Sequence, residues 1–169
     1  MQEGTKSVLF GCHNPIIHGV LVLFTWRIEY KSWPKVWQII CIFIHDIGVW
    51  GKPYISDPKS KNGHWKKGAY FAAWLFNLKL LRSFKLENKP FLLIAGHCPS
   101  ESKYPQSMLF YPDKKSWLIA PTWWLWSNYL IENFKVTTPR EWKILVAQNI
   151  KSSTPISSHD LFLQAMVKE

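Results

Sequence analysis

The stretch "IHDIGVWG", residues 44–51, decides how this chain is interpreted, because a polar pair ends an otherwise apolar run. The preceding "VWQIICIFI" is typical of a buried helix, and Gly48 and Gly51 are typical of a helix end. Either His45 and Asp46 form a structural hydrogen bond at that end, or they supply half of a metal site. The rest of the sequence distinguishes between these two possibilities.

The composition is that of a folded protein with an anionic partner. The 169 residues are 47% hydrophobic and include 11 Trp, which excludes a disordered chain. The length suits one domain around one core. The 21 Lys and Arg outnumber the 11 Asp and Glu, giving a net charge of +10. Such a charge attracts nucleotides, nucleic acids or anionic lipids without choosing among them.

No membrane or secretory segment is expected. The longest apolar runs, residues 15–26 and 36–50, are shorter than the roughly 18–20 residues that cross a bilayer. The N-terminus lacks the basic flank, apolar stretch and cleavage site of a signal peptide. Cys12, Cys41 and Cys98 are widely spaced, which favours reduced thiols. The sequence therefore predicts a cytoplasmic protein.

The predicted fold is all-α, because prolines occur where helices would start and strand signals are few. Asn14-Pro15 is typical of the start of a helix running to about Tyr30, and Pro34 is typical of the start of a second helix, which ends at "HDIGVWG" and forms a hairpin with the first. A capping box stands at residues 138–141. Further helices are predicted at 64–84, 108–117, 121–134 and from 158, with loops at 52–63 and 98–107. The runs 20–24 and 91–95 leave a strand open as an alternative.

Five histidines lie near predicted helix ends or beside glycine: His13, His18, His45, His64 and His97. The helical hairpin can return His18 or His13 to the His45-Asp46 pair. Imidazole and carboxylate groups converging within about 2.0–2.2 Å of an ion suit zinc, iron or manganese. Such an ion activates water, and two ions can clamp a phosphoryl oxygen. The pattern therefore indicates a metal site suited to phosphate-ester cleavage.

The order of these residues resembles the HD-domain metal-dependent phosphohydrolases, which are all-helical. The family often shows its doublet as "HDIG", which stands here at 45–48. "GHWKKGA" (63–69) looks like the His-Pro-x-x-Gly-Ala segment of the family, with Trp65 in place of proline, and "YPDKKSW" (111–117) looks like its closing Ala-Asp-Lys segment. The resemblance covers about residues 13–125. It implies an HD-domain-like helical bundle, one domain over 1–169, with residues 126–169 as additional C-terminal helices.

The resemblance also implies roles for individual residues. One divalent ion would be held by His18, His45, Asp46 and Asp113, with His13 as the alternative to His18. His64 and His97 would bind a second ion or the phosphate, and Asp46 would bridge two ions. One or two ions of Mn, Fe, Co, Ni or Zn are expected.

Two further features depart from the family pattern. His97 stands alone where two histidines often cluster. Nucleotidase members place an acid just after the doublet to assist proton transfer, whereas Asp57 is the first acid here. The candidate catalytic residues are therefore Asp46, His64, His97 and Asp57.

Lysines flank His64 and Asp113 in sequence. Lys66, Lys67 and Lys114 are the main candidates for phosphate binding, with Lys59, Lys61 and Lys115 as further ones. The alternative is that these lysines form a solvated face. Core packing, rather than stacking on bases, is expected for the indoles of Trp117, Trp123, Trp124 and Trp126.

Together these features predict a metal-dependent phosphohydrolase that acts on a small anionic phosphate-containing substrate, a nucleotide or deoxynucleotide. One alternative is a basic, Trp-rich nucleic-acid-binding protein with a vestigial metal site. Another is a di-iron oxygenase built on the same fold. The sequence leaves the metal, the substrate and the formation of a homo-oligomer open.

Overall fold

A computed structural model describes residues 7, 9–11, 14–50, 52, 62–78, 86–131 and 138–153. All regular secondary structure in these ranges is helical, so the predicted all-α class is confirmed and the strand alternative for 20–24 and 91–95 is excluded. The helices are α1 (Pro15–Tyr30), α2 (Val36–Ile44), α3 (His64–Asn77), α4 (Lys89–Ala95), α5 (Pro99–Ser102), α6 (Phe110–Ile119), α7 (Thr122–Ile131) and α8 (Pro139–Ser153).

Helix α1 has the bounds that its sequence predicts. The Asn14 side chain accepts hydrogen bonds from the amides of Ile17 (2.8 Å) and His18 (3.2 Å). These bonds satisfy amides that have no partner within the helix. Lys31 ends the helix in the left-handed conformation, with φ of 54°. The cap therefore fixes the first turn, which carries His18.

The predicted capping box at the start of α8 is also confirmed. The Glu141 carboxylate accepts from the Thr138 amide (2.7 Å), and the Thr138 hydroxyl accepts from the Glu141 amide (3.3 Å). Each side chain thus satisfies an amide of the first turn. The helix predicted from residue 158 lies outside the described residues, as does any extension of α3 beyond Leu78.

The main core lies between α1, α2, α3 and α4. Val22 of α1, Ile42 of α2, Ala69 of α3 and Ile94 of α4 are fully buried there. Burying a side chain such as valine or isoleucine contributes roughly 1.5–3 kcal/mol. Helix α1 also packs along α6 on its other side, and α6 packs against α8. This arrangement brings the starts of α1, α3 and α6 towards the end of α2.

Two glycines allow the backbone of α3 to approach the turn that follows α2. A Cβ at Gly68 would lie 2.5 Å from the His45 carbonyl oxygen, and a Cβ at Gly48 would collide with the His64 carbonyl oxygen. Only glycine permits such approaches without displacing backbone. The glycines of "HDIG" and "GHWKKGA" therefore set the distance between two segments that carry histidines.

The structure differs from the sequence predictions in two places. The predicted loop 98–107 contains the short helix α5, which Pro99 begins. Core packing is confirmed for Trp124 and wrong for Trp123 and Trp126, whose exposed fractions are 62% and 43%. Trp123 and Trp126 are three residues apart and share the outer face of α7, whereas Trp124 faces α1.

None of the described helices is both long enough and apolar enough to cross a membrane.

Candidate metal centre

Five segments of the fold deliver six ligand-type side chains to one place. The first turns of α1 and α6 and the first residue of α3 supply three of them, the turn after α2 supplies an adjacent pair, and the turn after α4 supplies the last. The side chains are His18, His45, Asp46, His64, His97 and Asp113. The structure thus brings together all the predicted ligands that it describes, in two groups that can hold a metal ion.

The first group contains His18, His45, Asp46 and Asp113. His18 Nε2 lies 3.1 Å from Asp113 Oδ1 and 3.6 Å from Asp46 Oδ2. His45 Nε2 lies 3.4 Å from Asp113 Oδ1 and 3.5 Å from Asp46 Oδ2. Four ligands about 2.1 Å from a tetrahedral ion are ~3.4 Å apart. These spacings therefore match those of a four-ligand metal site.

Hydrogen bonds orient the imidazoles of the centre. His45 Nδ1 donates to the Ile42 carbonyl (2.5 Å), and His97 Nδ1 donates to the Ile94 carbonyl (2.5 Å). A carbonyl oxygen only accepts, so Nδ1 carries the proton in the neutral ring and Nε2 keeps its lone pair. Such outer bonds are typical of metal-binding histidines. Both Nε2 atoms are therefore available as ligands.

The second group forms on the other side of Asp46. The Nε2 atoms of His64 and His97 lie 3.2 Å apart, and each is 3.5 Å from Asp46 Oδ1. His64 Nδ1 faces Glu101 Oε2 at 3.2 Å, a carboxylate–imidazole pairing that orients the ring. Cys98 Sγ lies 3.4 Å from His64 Nε2.

Asp46 joins the two groups through its two oxygens. Oδ2 faces His18 and His45, and Oδ1 faces His64 and His97. Oδ1 is buried and accepts no hydrogen bond in the described part of the chain. A buried carboxylate oxygen that accepts no hydrogen bond is costly, by roughly 1–3 kcal/mol or more for a charged group. A cation between Oδ1 and the two Nε2 atoms would satisfy all three, so the residues fit a bound metal.

The charges of the centre are complementary. Burial alone raises the pKa of Asp46, but His45, His97 and His64 outweigh it and hold that pKa well below its usual value. Burial likewise raises the pKa of Asp113, and Lys114 and the facing histidines outweigh it in the same direction. Both carboxylates are therefore ionised at neutral pH.

The histidines respond in the opposite sense. Burial lowers the pKa of His45, yet Asp46 and Asp113 raise it above the ordinary value overall. Burial also lowers the pKa of His64, but Cys98 and Asp46 raise it above the ordinary value overall. The buried carboxylates thus demand positive charge at the centre, which either protons on imidazole or a metal cation can supply.

A cavity of about 320 Å³ opens beside the centre. Asp46, His64, His97 and Asp113 lie in its wall, together with Lys114. Lys114 Nζ donates to Asp113 Oδ2 (2.7 Å) and leaves Oδ1 facing the histidines. Ligand sites in proteins are commonly about 300–1,000 Å³. The cavity therefore suits a small molecule next to the ligand cluster.

Three lysines predicted to bind phosphate do not line the cavity: Lys66, Lys67 and Lys115. Lys66 and Lys67 are exposed on α3 and are absent from the cavity wall. Lys115 is buried and bonded to Glu29 Oε2 at 2.6 Å, so the idea that it binds phosphate is wrong. The roles predicted for His13, Asp57, Lys59 and Lys61 fall outside the described residues.

Sequence reasoning missed several residues of the centre. Cys98 directly follows His97, and Glu101 lies four residues after His97. The segment "HCPSE" therefore contains adjacent metal-binding residue types, as the His-Asp doublet does. Trp142, Val146, Asn149 and Ile150 of α8 line the cavity although they lie beyond the motif-bearing region. No local pattern marks these four, because tertiary packing of α8 against α6 brings them there.

No family model, curated protein or solved structure matches the chain. The resemblance to HD-domain enzymes therefore stays a prediction from the sequence motifs.

Proposed function

We propose that the protein is a metal-dependent phosphohydrolase of the HD-domain type that cleaves a small phosphate-containing substrate, a nucleotide or deoxynucleotide. The convergence of four imidazoles and two ionised carboxylates on one buried cluster carries the proposal. The order of these residues along the chain supports it, since it resembles the ligand series of that family.

The ligand roles follow from the two groups. His18, His45, Asp46 and Asp113 would hold one ion, and Asp46 with His64 and His97 would hold a second. A divalent ion in such a site polarises a phosphoryl oxygen and makes water more acidic. Glu101 keeps the His64 ring oriented, as the backbone carbonyls do for His45 and His97.

Lys114 is the residue best placed to bind the phosphate. It lines the cavity, and its side chain is 38% exposed. Burial lowers its pKa, but Asp113 outweighs this and raises the pKa above its usual value, so the ammonium group stays charged. A fixed cation at the rim of an anionic ligand cluster offsets the repulsion between the carboxylates and a phosphate.

The remainder of the cavity favours a substrate with a flat or apolar portion. Trp117 of α6 and Trp142 of α8 contribute indole rings to the wall, with Val146 and Ile150 beside them. An aromatic wall excludes water and can stack on a nucleobase. These residues would hold the part of the substrate that does not react.

The test is the release of phosphate or pyrophosphate from a panel of nucleotides and deoxynucleotides with Mn, Co, Ni, Fe or Zn added. The wild type is expected to be active with at least one ion, and Asp46→Asn is expected to be inactive. Lys67→Ala changes an exposed residue away from the cavity and serves as the matched control. Circular dichroism verifies that each variant is folded. Equal rates for wild type and Asp46→Asn would falsify the proposal.

A second candidate function is binding of single-stranded nucleic acid, which the exposed indoles favour. Trp33, Trp74 and Trp123 have exposed fractions of 60%, 57% and 62%, and the chain carries a net charge of +10. Stacking on indoles and neutralisation of phosphates give strongly salt-dependent binding. Titration of single-stranded DNA at two salt concentrations tests it, and an affinity that does not change with salt would exclude it.

A further inference from the structure

The Cys98 thiol lies among the ligand atoms of the second group. Cys98 Sγ and the Nε2 atoms of His64 and His97 all lie within 4.8 Å of one another. Cys98 is 7% exposed and lines the cavity. Cys41, the other cysteine that the structure describes, is fully buried in the apolar core. Only one of these two thiols is therefore in a position to meet a metal ion.

We propose that Cys98 binds as a thiolate to the second ion, completing a site with His64, His97 and Asp46. This inference rests on the proposed function, since it requires that the centre holds metal. On binding, the thiol proton leaves to solvent and a sulfur–metal bond forms, with no change in oxidation state.

The spacing of the atoms supports the proposal. Around a tetrahedral ion with a sulfur bond of ~2.3 Å and nitrogen bonds of ~2.0–2.1 Å, ligand atoms lie about 3.3–3.6 Å apart. His64 Nε2 is 3.4 Å from Cys98 Sγ and 3.2 Å from His97 Nε2. Asp46 Oδ1 is 3.5 Å from both nitrogens, a spacing within the same range.

A hydrogen bond from the thiol to His64 is the competing explanation of the short contact. His97 Nδ1 donates to a carbonyl, and His64 Nδ1 faces a carboxylate, so both Nε2 atoms present lone pairs in the neutral rings. The carboxylate oxygen Asp46 Oδ1 faces the same point and has no hydrogen bond. When both rings are neutral, one thiol proton can satisfy only one of these three acceptors. A cation satisfies all three together with the sulfur.

The Lys114 ammonium group lies next to Cys98, with Nζ 4.0 Å from Sγ. Lys114 thus contacts ligands of both groups, because it also donates to Asp113. A site with two imidazoles, a thiolate and a carboxylate prefers zinc, iron or cobalt to magnesium or manganese. The two groups are therefore expected to differ in metal preference, since the first contains no sulfur.

Cobalt substitution tests the proposal, because a thiolate bound to Co(II) gives a charge-transfer absorption in the near ultraviolet and imidazole or carboxylate does not. All the proteins compared carry Cys12→Ser, so that this cysteine, which falls outside the described residues, contributes nothing to the absorption. The band is expected with Cys98 present and in the matched control Cys41→Ala. It is expected to disappear in Cys98→Ser, with affinity for the second cobalt falling by at least about 10–100-fold, the loss typical even of outer-shell partners. Cys98→His is expected to restore the second cobalt without the band.

A measurement on the protein with native Cys98 avoids dependence on the folding of variants. Bound cobalt is expected to protect Cys98 from iodoacetamide, as mapped by mass spectrometry of peptides. Equal alkylation with and without cobalt, or bound cobalt without the near-ultraviolet band, overturns this inference and leaves the proposed function standing. Failure of the protein to bind cobalt at all overturns both.

Discussion

Replacing Lys115 with methionine is expected to destabilise the protein strongly, although Lys115 lies outside the cavity. Lys115 Nζ is 2.6 Å from Glu29 Oε2, and the side chains are 0% and 6% exposed. The pair joins α6, which carries Asp113, to α1, which carries His18. It therefore links the two helices whose first turns contribute to the first ligand group.

The magnitude follows from the distance and the burial. At 2.6 Å and an effective dielectric constant near 20, the attraction between the two charges is about 6 kcal/mol. Desolvation offsets much of this, since burying each ion costs several kcal/mol. Lys115→Met removes the attraction and leaves the desolvated carboxylate, so the free energy of unfolding is expected to fall by about 3–5 kcal/mol. For a chain of this size that is a loss of about 6–20 °C in Tm.

Urea denaturation of a double-mutant cycle measures the effect. The cycle consists of Lys115→Met, Glu29→Leu and the double variant, with the exposed Lys67→Met as control. The double variant is expected to be far more stable than either single variant, because no buried charge remains in it. A loss below about 1 kcal/mol for Lys115→Met, within the range of exposed ion pairs, would refute the reasoning. Additive losses in the double variant would refute it as well.

Three further predictions concern the centre and the core. In the metal-free protein the raised pKa values of His45 and His64 mean that their protonation stabilises the fold. This contribution is complete below about pH 6.5 and is lost as pH rises through the folded-state pKa values, so the Tm of the metal-free protein is expected to fall with rising pH. With saturating metal the Tm is expected to rise with pH instead, because metal binding needs neutral imidazoles. Calorimetry that shows the same trend with and without metal would contradict this prediction. Gly68→Ala places a Cβ 2.5 Å from the His45 carbonyl oxygen. The free energy of unfolding in urea is expected to fall by about 1–3 kcal/mol, and metal affinity is expected to fall with it. A loss of stability no larger than that of Lys67→Ala would show that α3 can shift away from His45 without cost. Burial raises the pKa of Cys41 to about 12, so iodoacetamide near neutral pH is expected to leave it unmodified in the native protein; its rapid alkylation in peptide maps would disprove this.

Features that depend on local interactions could be predicted from the sequence. The bounds of α1 follow from Asn14 and Pro15, and the start of α8 follows from the capping box of Thr138 and Glu141. The resemblance to HD-domain enzymes predicts which side chains cluster, and the structure brings His18, His45, Asp46, His64, His97 and Asp113 together. His18 is predicted as a ligand with His13 as the alternative; the structure places His18 in the cluster, and His13 falls outside the described residues.

Features that depend on tertiary packing could not be predicted. Lys114 and Lys115 are neighbours in one helix, yet the helical rotation of about 100° per residue turns the first towards the cavity and the second towards Glu29. Trp123 and Trp124 differ for the same reason, one exposed and the other buried. A run of identical residue types carries no periodic signal. The neighbouring helix determines which residue of such a run is buried.

His45 and Asp46 are adjacent in the sequence, and this adjacency places both side chains at the centre of the cluster. His45 is fixed by its bond to the Ile42 carbonyl one turn earlier, so the next residue leaves α2 in a defined direction. That direction places Asp46 between the two groups, with one oxygen for each. Gly48 then lets the backbone of His64 approach the same turn, and any side chain at Gly48 would push His64 away from Asp46. The two groups are therefore one unit, in which a change at the turn after α2 alters both sets of ligands at once.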